Sequence, residues 1–166
     1  DFPDVAQTRH SSLQAAAPAD RGAPPAGDGI AAGQLLRTGT GFIVDTSGAV
    51  VTNYHVVQSC GVVSFLLGPS SVDAKVVASD PVNDLALLKL STGTKAAAVF
   101  QEPEKLRAGD DVIVFGYPLL GQLASTGNLT RGSVTALSGL RDDARYFQMS
   151  APIQLGNSGG PVLNQS

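Results

Sequence analysis

The stretch 41-GFIVDTSGAVVTNYHVV-57 decides how the rest of the chain is read. It holds two β-type runs, 41-GFIVD-45 and 49-AVVTN-53, joined by 45-DTSGAV-50. In that turn Gly48 can take a left-handed backbone conformation that side chains resist, so the pattern predicts a β-hairpin. A polar and apolar segment, 53-NYHVVQ-58, follows with room for a helical turn or two, and it carries His55.

The same texture continues along the chain. Short β-rich runs at 61-GVVSFLL-67, 72-VDAKVVA-78, 85-LALLKL-90, 111-DVIVFG-116, 132-GSVTAL-137, 145-RYFQMS-150 and 161-PVL-163 are broken by Gly, Pro, Asn or Asp. No stretch keeps a 3.6-residue period over twelve positions, and 102-EPEKL-106 is the one other helical candidate. Many short strands without helical interludes predict an all-β antiparallel sandwich or barrel. A pause at 91-STGTKAAAVFQEPEKLRAGD-110 splits the strands into two groups, so two small barrels joined by a connector are the simplest arrangement. The tract 13-LQAAAPADRGAPPAGDGIAAG-33 has neither a 2 nor a 3.6 period and reads as a flexible leader or linker. The expected organisation is a leader over 1–34, a first barrel over 35–100 and a second over 101–166.

Composition narrows the function classes. At 166 residues the chain is long enough for one domain with a real hydrophobic core. Its net charge is −3, and Lys105 with Arg107 is the largest basic feature, which argues against a nucleic-acid partner. The longest apolar run, 62-VVSFLL-67, falls far short of the ~20 residues of a membrane helix. The opening DFPDV lacks the basic region of a signal peptide, which a mature exported protein would already have lost. A single cysteine, Cys60, excludes an internal disulfide and reads as a small buried hydrophobe. The segment 39-GTGFIV-44 is a weak nucleotide loop, because the third glycine is missing and a strand follows where a helix start is needed.

Chemistry points to 156-GNSGGPV-162. A serine hydroxyl is a poor nucleophile unless a base takes its proton and N–H donors stabilise the oxyanion. The glycines let the chain fold tightly around Ser158, so that amide groups converge on one point. The N–H groups of Gly156 and Ser158 are the expected pair, and Asn157 between them is counted in the same oxyanion hole. Of the two histidines, His10 lies in the polar leader, which leaves His55 as the base for Ser158. A histidine base needs a carboxylate to set its tautomer. Asp45, Asp73, Asp80 and Asp84 are available. Asp80 precedes Pro81 and reads as a turn residue. Asp84 opens the alternating strand 84-DLALLKL-90, where a charge beside the core must be paired.

The resulting order, His55, Asp84, Ser158, is that of chymotrypsin and differs from subtilisins and α/β-hydrolases. Ser158 also lacks the G-x-S-x-G spacing, and Pro161 and strand residues follow it instead of a helix. The stretches 39-GTGFIVDTSGAVVTNYHVV-57, 80-DPVNDLALLKL-90, 116-GYPLLGQLASTGNLTRGSVTAL-137 and 151-APIQLGNSGGPVLN-164 resemble the trypsin-like serine proteases of the HtrA (Deg) type. The resemblance implies a chymotrypsin-like double β-barrel whose cleft holds His55 as general base, Asp84 as its orienter and Ser158 as nucleophile. It implies peptide substrates bound extended along a strand edge, no metal or organic cofactor, and a periplasmic or secreted bacterial location.

Details of the motifs refine these expectations. Asn157 stands where secreted relatives have an Asp that pairs with a newly cut N-terminus, so that zymogen switch is expected to be missing. Proteases that cut after Lys or Arg carry an Asp six residues before the serine. Here that residue is Pro152, which with Ile153 and Gln154 is expected along the substrate pocket, with a preference for small or medium aliphatic residues. The chain ends at Ser166 with no PDZ domain following. The resemblance leads one to expect further strands closing the second barrel, and hence an incomplete barrel that is weakly active or inactive unless a homo-oligomer or a second chain completes it. A catalytically silent, chaperone-like peptide-binding module is the alternative, and the intact triad argues against it.

Overall fold

The computed structural model describes residues 5–13, 34–102, 106–117 and 127–164, and these form two antiparallel sheets. The first is a closed barrel. Its strands are β1 (Val5–Leu13), β2 (Gln34–Asp45), β3 (Ala49–Asn53), β4 (Val62–Leu67), β5 (Ser70–Asp80) and β6 (Leu85–Leu90), arranged in the order β1-β2-β3-β6-β5-β4. The second is a four-stranded sheet of β7 (Asp111–Gly116), β8 (Asn128–Ala136), β9 (Gln148–Met149) and β10 (Val162–Asn164), ordered β10-β7-β8-β9.

The hairpin predicted at residues 41–53 joins β2 to β3. Asp45 accepts the N–H of Gly48 on its carbonyl at 3.0 Å and that of Ser47 on its carboxylate at 2.5 Å. Gly48 has φ of +95°. A β-bulge between Ile43 and Asp45 tightens the strand as it enters the turn.

Alternation places the core. In β6, Ala86, Leu88 and Leu90 point inward, and in β4, Val63 and Phe65 do. Ile43, Val50, Phe65 and Leu88 are fully buried, and each contributes about 1.5–3 kcal/mol by leaving water. The short helix α1 (Tyr54–Val57) adds Val56 and Val57 to this core. In the second sheet, Val112, Ile113 and Val114 are buried in succession, so the central strand β7 is covered on both faces. Among the described residues no helix is long and apolar enough to cross a membrane.

Two differences from the sequence reading concern its boundaries. Residues 5–13, expected in a leader, form β1, which pairs with β2 and with β4 and so closes the barrel. The segment VAQTRHSSL has few apolar residues, and it is recruited through ladder hydrogen bonds that composition does not reveal. Residues 14–33 lie outside the described residues, as do 103–105 of the helical candidate 102–106. The strand expected over 145–150 shortens to Gln148–Met149, because Tyr146 donates its N–H to the Asp143 carbonyl at 3.3 Å and stays in a turn.

Candidate active site

His55 sits in α1, a single turn closed by the Gln58 N–H on the Tyr54 carbonyl at 2.8 Å. Val56 and Val57 anchor that turn in the barrel core, which directs the neighbouring imidazole outward, half exposed. The Arg37 guanidinium reaches over from β2, with Nη1 3.5 Å from the His55 carbonyl.

Asp84 grips this turn at four points. Its Oδ2 lies 2.6 Å from His55 Nδ1, and its Oδ1 accepts the His55 backbone N–H at 2.8 Å. Its carbonyl accepts the Tyr54 N–H at 3.0 Å and the Asn53 side-chain amide at 2.8 Å. A carboxylate can only accept, so a neutral His55 ring bonded to it carries its proton on Nδ1 and keeps Nε2 as its acceptor nitrogen. Asp84 holds a left-handed backbone, with φ of +54°, a conformation costing a non-glycine residue about 1–3 kcal/mol. The preceding turn prepares it. The Asp80 carboxylate accepts the backbone N–H groups of Val82 and Asn83 at 3.0 and 3.1 Å and the Asn83 amide at 2.5 Å. The Asn83 amide, then its backbone N–H, hold the Asp80 carboxyl below its ordinary value. Asp80 is thus the turn residue that its place before Pro81 suggested.

Ser158 lies in the second sheet's loop before β10, and the first barrel holds it. Thr40 of β2 donates its N–H to the Ser158 carbonyl at 2.8 Å and its hydroxyl to the Gly156 carbonyl at 2.7 Å. The same hydroxyl accepts the Tyr117 N–H at 3.0 Å, and the Thr40 carbonyl accepts the Thr52 hydroxyl at 2.7 Å. Both threonines are buried, and every polar group of Thr40 has a partner. Gly159 has φ of +82°, and a Cβ there would overlap the Thr40 carbonyl and the Thr52 hydroxyl and stand 2.9 Å from the Asn53 nitrogen. The Ser158 turn therefore packs against the residue that starts α1, the helix carrying His55.

Sequence reasoning missed Thr40. Its signal is the run 39-GTG-41, read there as a weak nucleotide loop, where two glycines leave space for another backbone to approach.

Among the described residues no oxygen accepts the N–H of Gly156 or of Ser158. The Asn157 N–H differs, because it closes a turn on the Gln154 carbonyl at 3.1 Å and is not free to serve with them. Asn157 is itself buried, its side chain laid against Gly116, and its Oδ1 finds no hydrogen-bond donor among the described residues. Pro152, Ile153 and Gln154 form an exposed segment leading into the turn, tied to β8 by the Thr130 hydroxyl on the Pro152 carbonyl at 2.8 Å. Cys60 lies partly buried beyond α1, and burial pushes its thiol pKa up.

Known proteins resemble this chain in sequence and in fold. The protein y4bJ of Sinorhizobium fredii is 43% identical over 165 residues, covering 98% of this chain and 26% of its own length. A probable periplasmic serine endoprotease of the DegP-like kind from Rhizobium meliloti is 37% identical over 131 residues, covering 77% of this chain and 26% of its own. The solved structure of the HtrA-type protease AlgW with a decapeptide superposes with a TM-score of 0.73 at 23% identity, over 98% of this chain and 52% of that one. The chain thus spans about a quarter of the length of these curated relatives and about half of that structure. The profile of the trypsin-like peptidase domain matches residues 39–166. With a match running from Gly39 through the histidine, aspartate and serine motifs, the chain belongs to the trypsin-like peptidase domain family.

Proposed function

We propose that this chain is the catalytic domain of a serine endopeptidase acting through His55, Asp84 and Ser158. One observation carries the reading: a single carboxylate holds both the ring N–H and the backbone N–H of His55, at 2.6 and 2.8 Å. That grip leaves Nε2 as a base. Ser158 Oγ attacks the substrate carbonyl while its proton passes to Nε2, and the N–H groups of Gly156 and Ser158 stabilise the oxyanion. The C–N bond then breaks, Nε2 gives its proton to the leaving amine, and an acyl-enzyme remains on Ser158. Water hydrolyses it by the same route in reverse roles.

The substrates are polypeptides bound extended. Pro152 gives no counter-charge to a basic side chain, which supports a preference for small or medium aliphatic residues, with Ile153 and Gln154 beside it. The DegP-like relatives, named periplasmic, support a site of action in the periplasm or outside the bacterial cell.

The test is intact-mass spectrometry after exposure to a fluorophosphonate, which labels activated serines. The expected result is one adduct on Ser158, lost in Ser158→Ala and in His55→Ala. A folded chain that takes no adduct would count against the reading and leave a peptide-binding module in its place.

A further inference from the structure

We propose that Arg145 is a positioning residue for Asp84, reaching from the connection between β8 and β9 to brace the turn that presents the carboxylate. The inference rests on the triad proposed above and adds a member that the sequence motifs do not contain. Arg145 Nη1 donates to Asn83 Oδ1 at 3.3 Å, across 62 residues of sequence. Asn83 is the residue immediately before Asp84, and its amide and backbone N–H both belong to the Asp80 turn. The contact therefore falls on the side chain of the residue that precedes Asp84, itself held at φ of +54°. A left-handed non-glycine residue relaxes unless its surroundings over-determine it, so each tie on this turn bears on the carboxylate that aligns His55.

Arg145 is prepared for the task. Its Nε and Nη2 donate to the two carboxylate oxygens of Asp143 at 3.0 and 2.6 Å, a planar fork that fixes the guanidinium. The guanidinium carbon lies 5.6 Å from the centre of the Tyr146 ring. With two of its nitrogens occupied, Nη1 is aimed at Asn83. Arg145 lowers the pKa of the Asp143 carboxyl, chiefly by its side-chain hydrogen bonds, and its charge adds to the Asn83 and Val82 bonds that lower that of Asp80. The loop that holds the fork is itself constrained, with Arg141 and Asp142 both left-handed and the Gly139 N–H on the Asp143 carbonyl at 2.9 Å. The link thus joins the second sheet's connecting loop to the first barrel's carboxylate, at a point remote from the Thr40 contact.

Arg145 is more than half exposed. Exposed pairs of this kind are weak, so its removal is expected to change rates by about two- to tenfold and to leave global stability nearly unchanged. The experiment uses the whole 166-residue chain and two readouts. The first is the exchange rate of the His55 Nδ1 proton by NMR, and the second is the rate of fluorophosphonate labelling at Ser158. Arg145→Gln is expected to speed the first and slow the second by similar factors at an unchanged melting temperature. Asp143→Asn, which releases the fork, is expected to act in the same direction and to add nothing in the Arg145→Gln background. Proton exchange that stays at the wild-type rate in Arg145→Gln overturns the proposal, and so does an effect that tracks a loss of melting temperature. If the wild-type chain takes no label, the triad reading fails by that result alone, while the exchange rate still decides whether Arg145 braces Asp84.

Discussion

Thr40 donates its backbone N–H to the carbonyl of Ser158 at 2.8 Å, so a strand of the first barrel carries the Ser158 turn of the second sheet. The same residue gives its hydroxyl to Gly156 and takes the N–H of Tyr117. The two sheets are thereby pinned together at the turn that holds Gly156 and Ser158, the proposed oxyanion donor and nucleophile.

Thr40→Val keeps the shape and the backbone N–H but removes the hydroxyl. The part-buried Gly156 carbonyl and Tyr117 N–H then lose the hydroxyl that joins them, which costs about 1–3 kcal/mol. Urea denaturation is expected to show that loss. Fluorophosphonate labelling is expected to fall by more than stability alone explains, between about ten- and a hundredfold, because misplacing a catalytic group by about 1 Å has effects of that size. Labelling at the wild-type rate in a destabilised Thr40→Val chain would sever the pin from the chemistry.

Gly159→Ala tests the same junction from the other side. The new methyl group would overlap the Thr40 carbonyl and the Thr52 hydroxyl, and φ of +82° disfavours any side chain. Backbone groups of two strands must shift, so a loss above about 2 kcal/mol in urea unfolding is expected. A loss of a few tenths would mean that this approach is looser than the structure has it.

Asp84→Asn separates orientation from charge. An amide in place of Oδ2 can donate to Nδ1, which moves the ring proton to Nε2 and removes the base. Labelling and peptide hydrolysis are expected to fall about ten-thousandfold. The carbonyl bonds to Tyr54 and Asn53 survive, so the folded chain should keep most of its stability.

The Asp143–Arg145 fork predicts a pH signature. The Arg145 guanidinium, first by hydrogen bonding, holds the Asp143 carboxyl at about 2, below its ordinary 3.8. A depressed carboxylate contributes stability above its unfolded pKa and loses it as pH falls through its folded one. The fork is thus complete above about pH 4 and breaks as pH falls toward about 2. A carboxyl-carbon NMR titration should place the Asp143 midpoint near 2 in the wild-type chain and closer to 3.8 in Arg145→Gln. A wild-type midpoint at the ordinary value would remove the fork.

Particular residues show how far the amino-acid sequence reaches. The strands Ala49–Asn53, Leu85–Leu90 and Asp111–Gly116 fall where the runs of β-formers predict them, because each alternates or buries its own apolar residues. The hairpin at Gly48 is legible for the same local reason. His55 and Asp84 could be singled out because few residues with the right chemistry were available, and their contact at 2.6 Å joins positions 29 residues apart. By contrast, β1 was hidden, since Val5–Leu13 enters the barrel through backbone pairing that leaves little trace in side-chain pattern.

By itself, then, the sequence determined the all-β character, the turn chemistry and the residue types for the proposed acyl-transfer site. These are local properties, written in alternation, glycine placement and the scarcity of histidine. The tertiary structure decided the closure of the barrel by β1, the role of Thr40 between the sheets, the engagement of the Asn157 N–H within its turn and the reach of Arg145 to Asn83. Each of these depends on which backbones and side chains meet across tens of residues. Hydrogen bonds of 2.7–3.3 Å demand positions that no neighbour in sequence can specify.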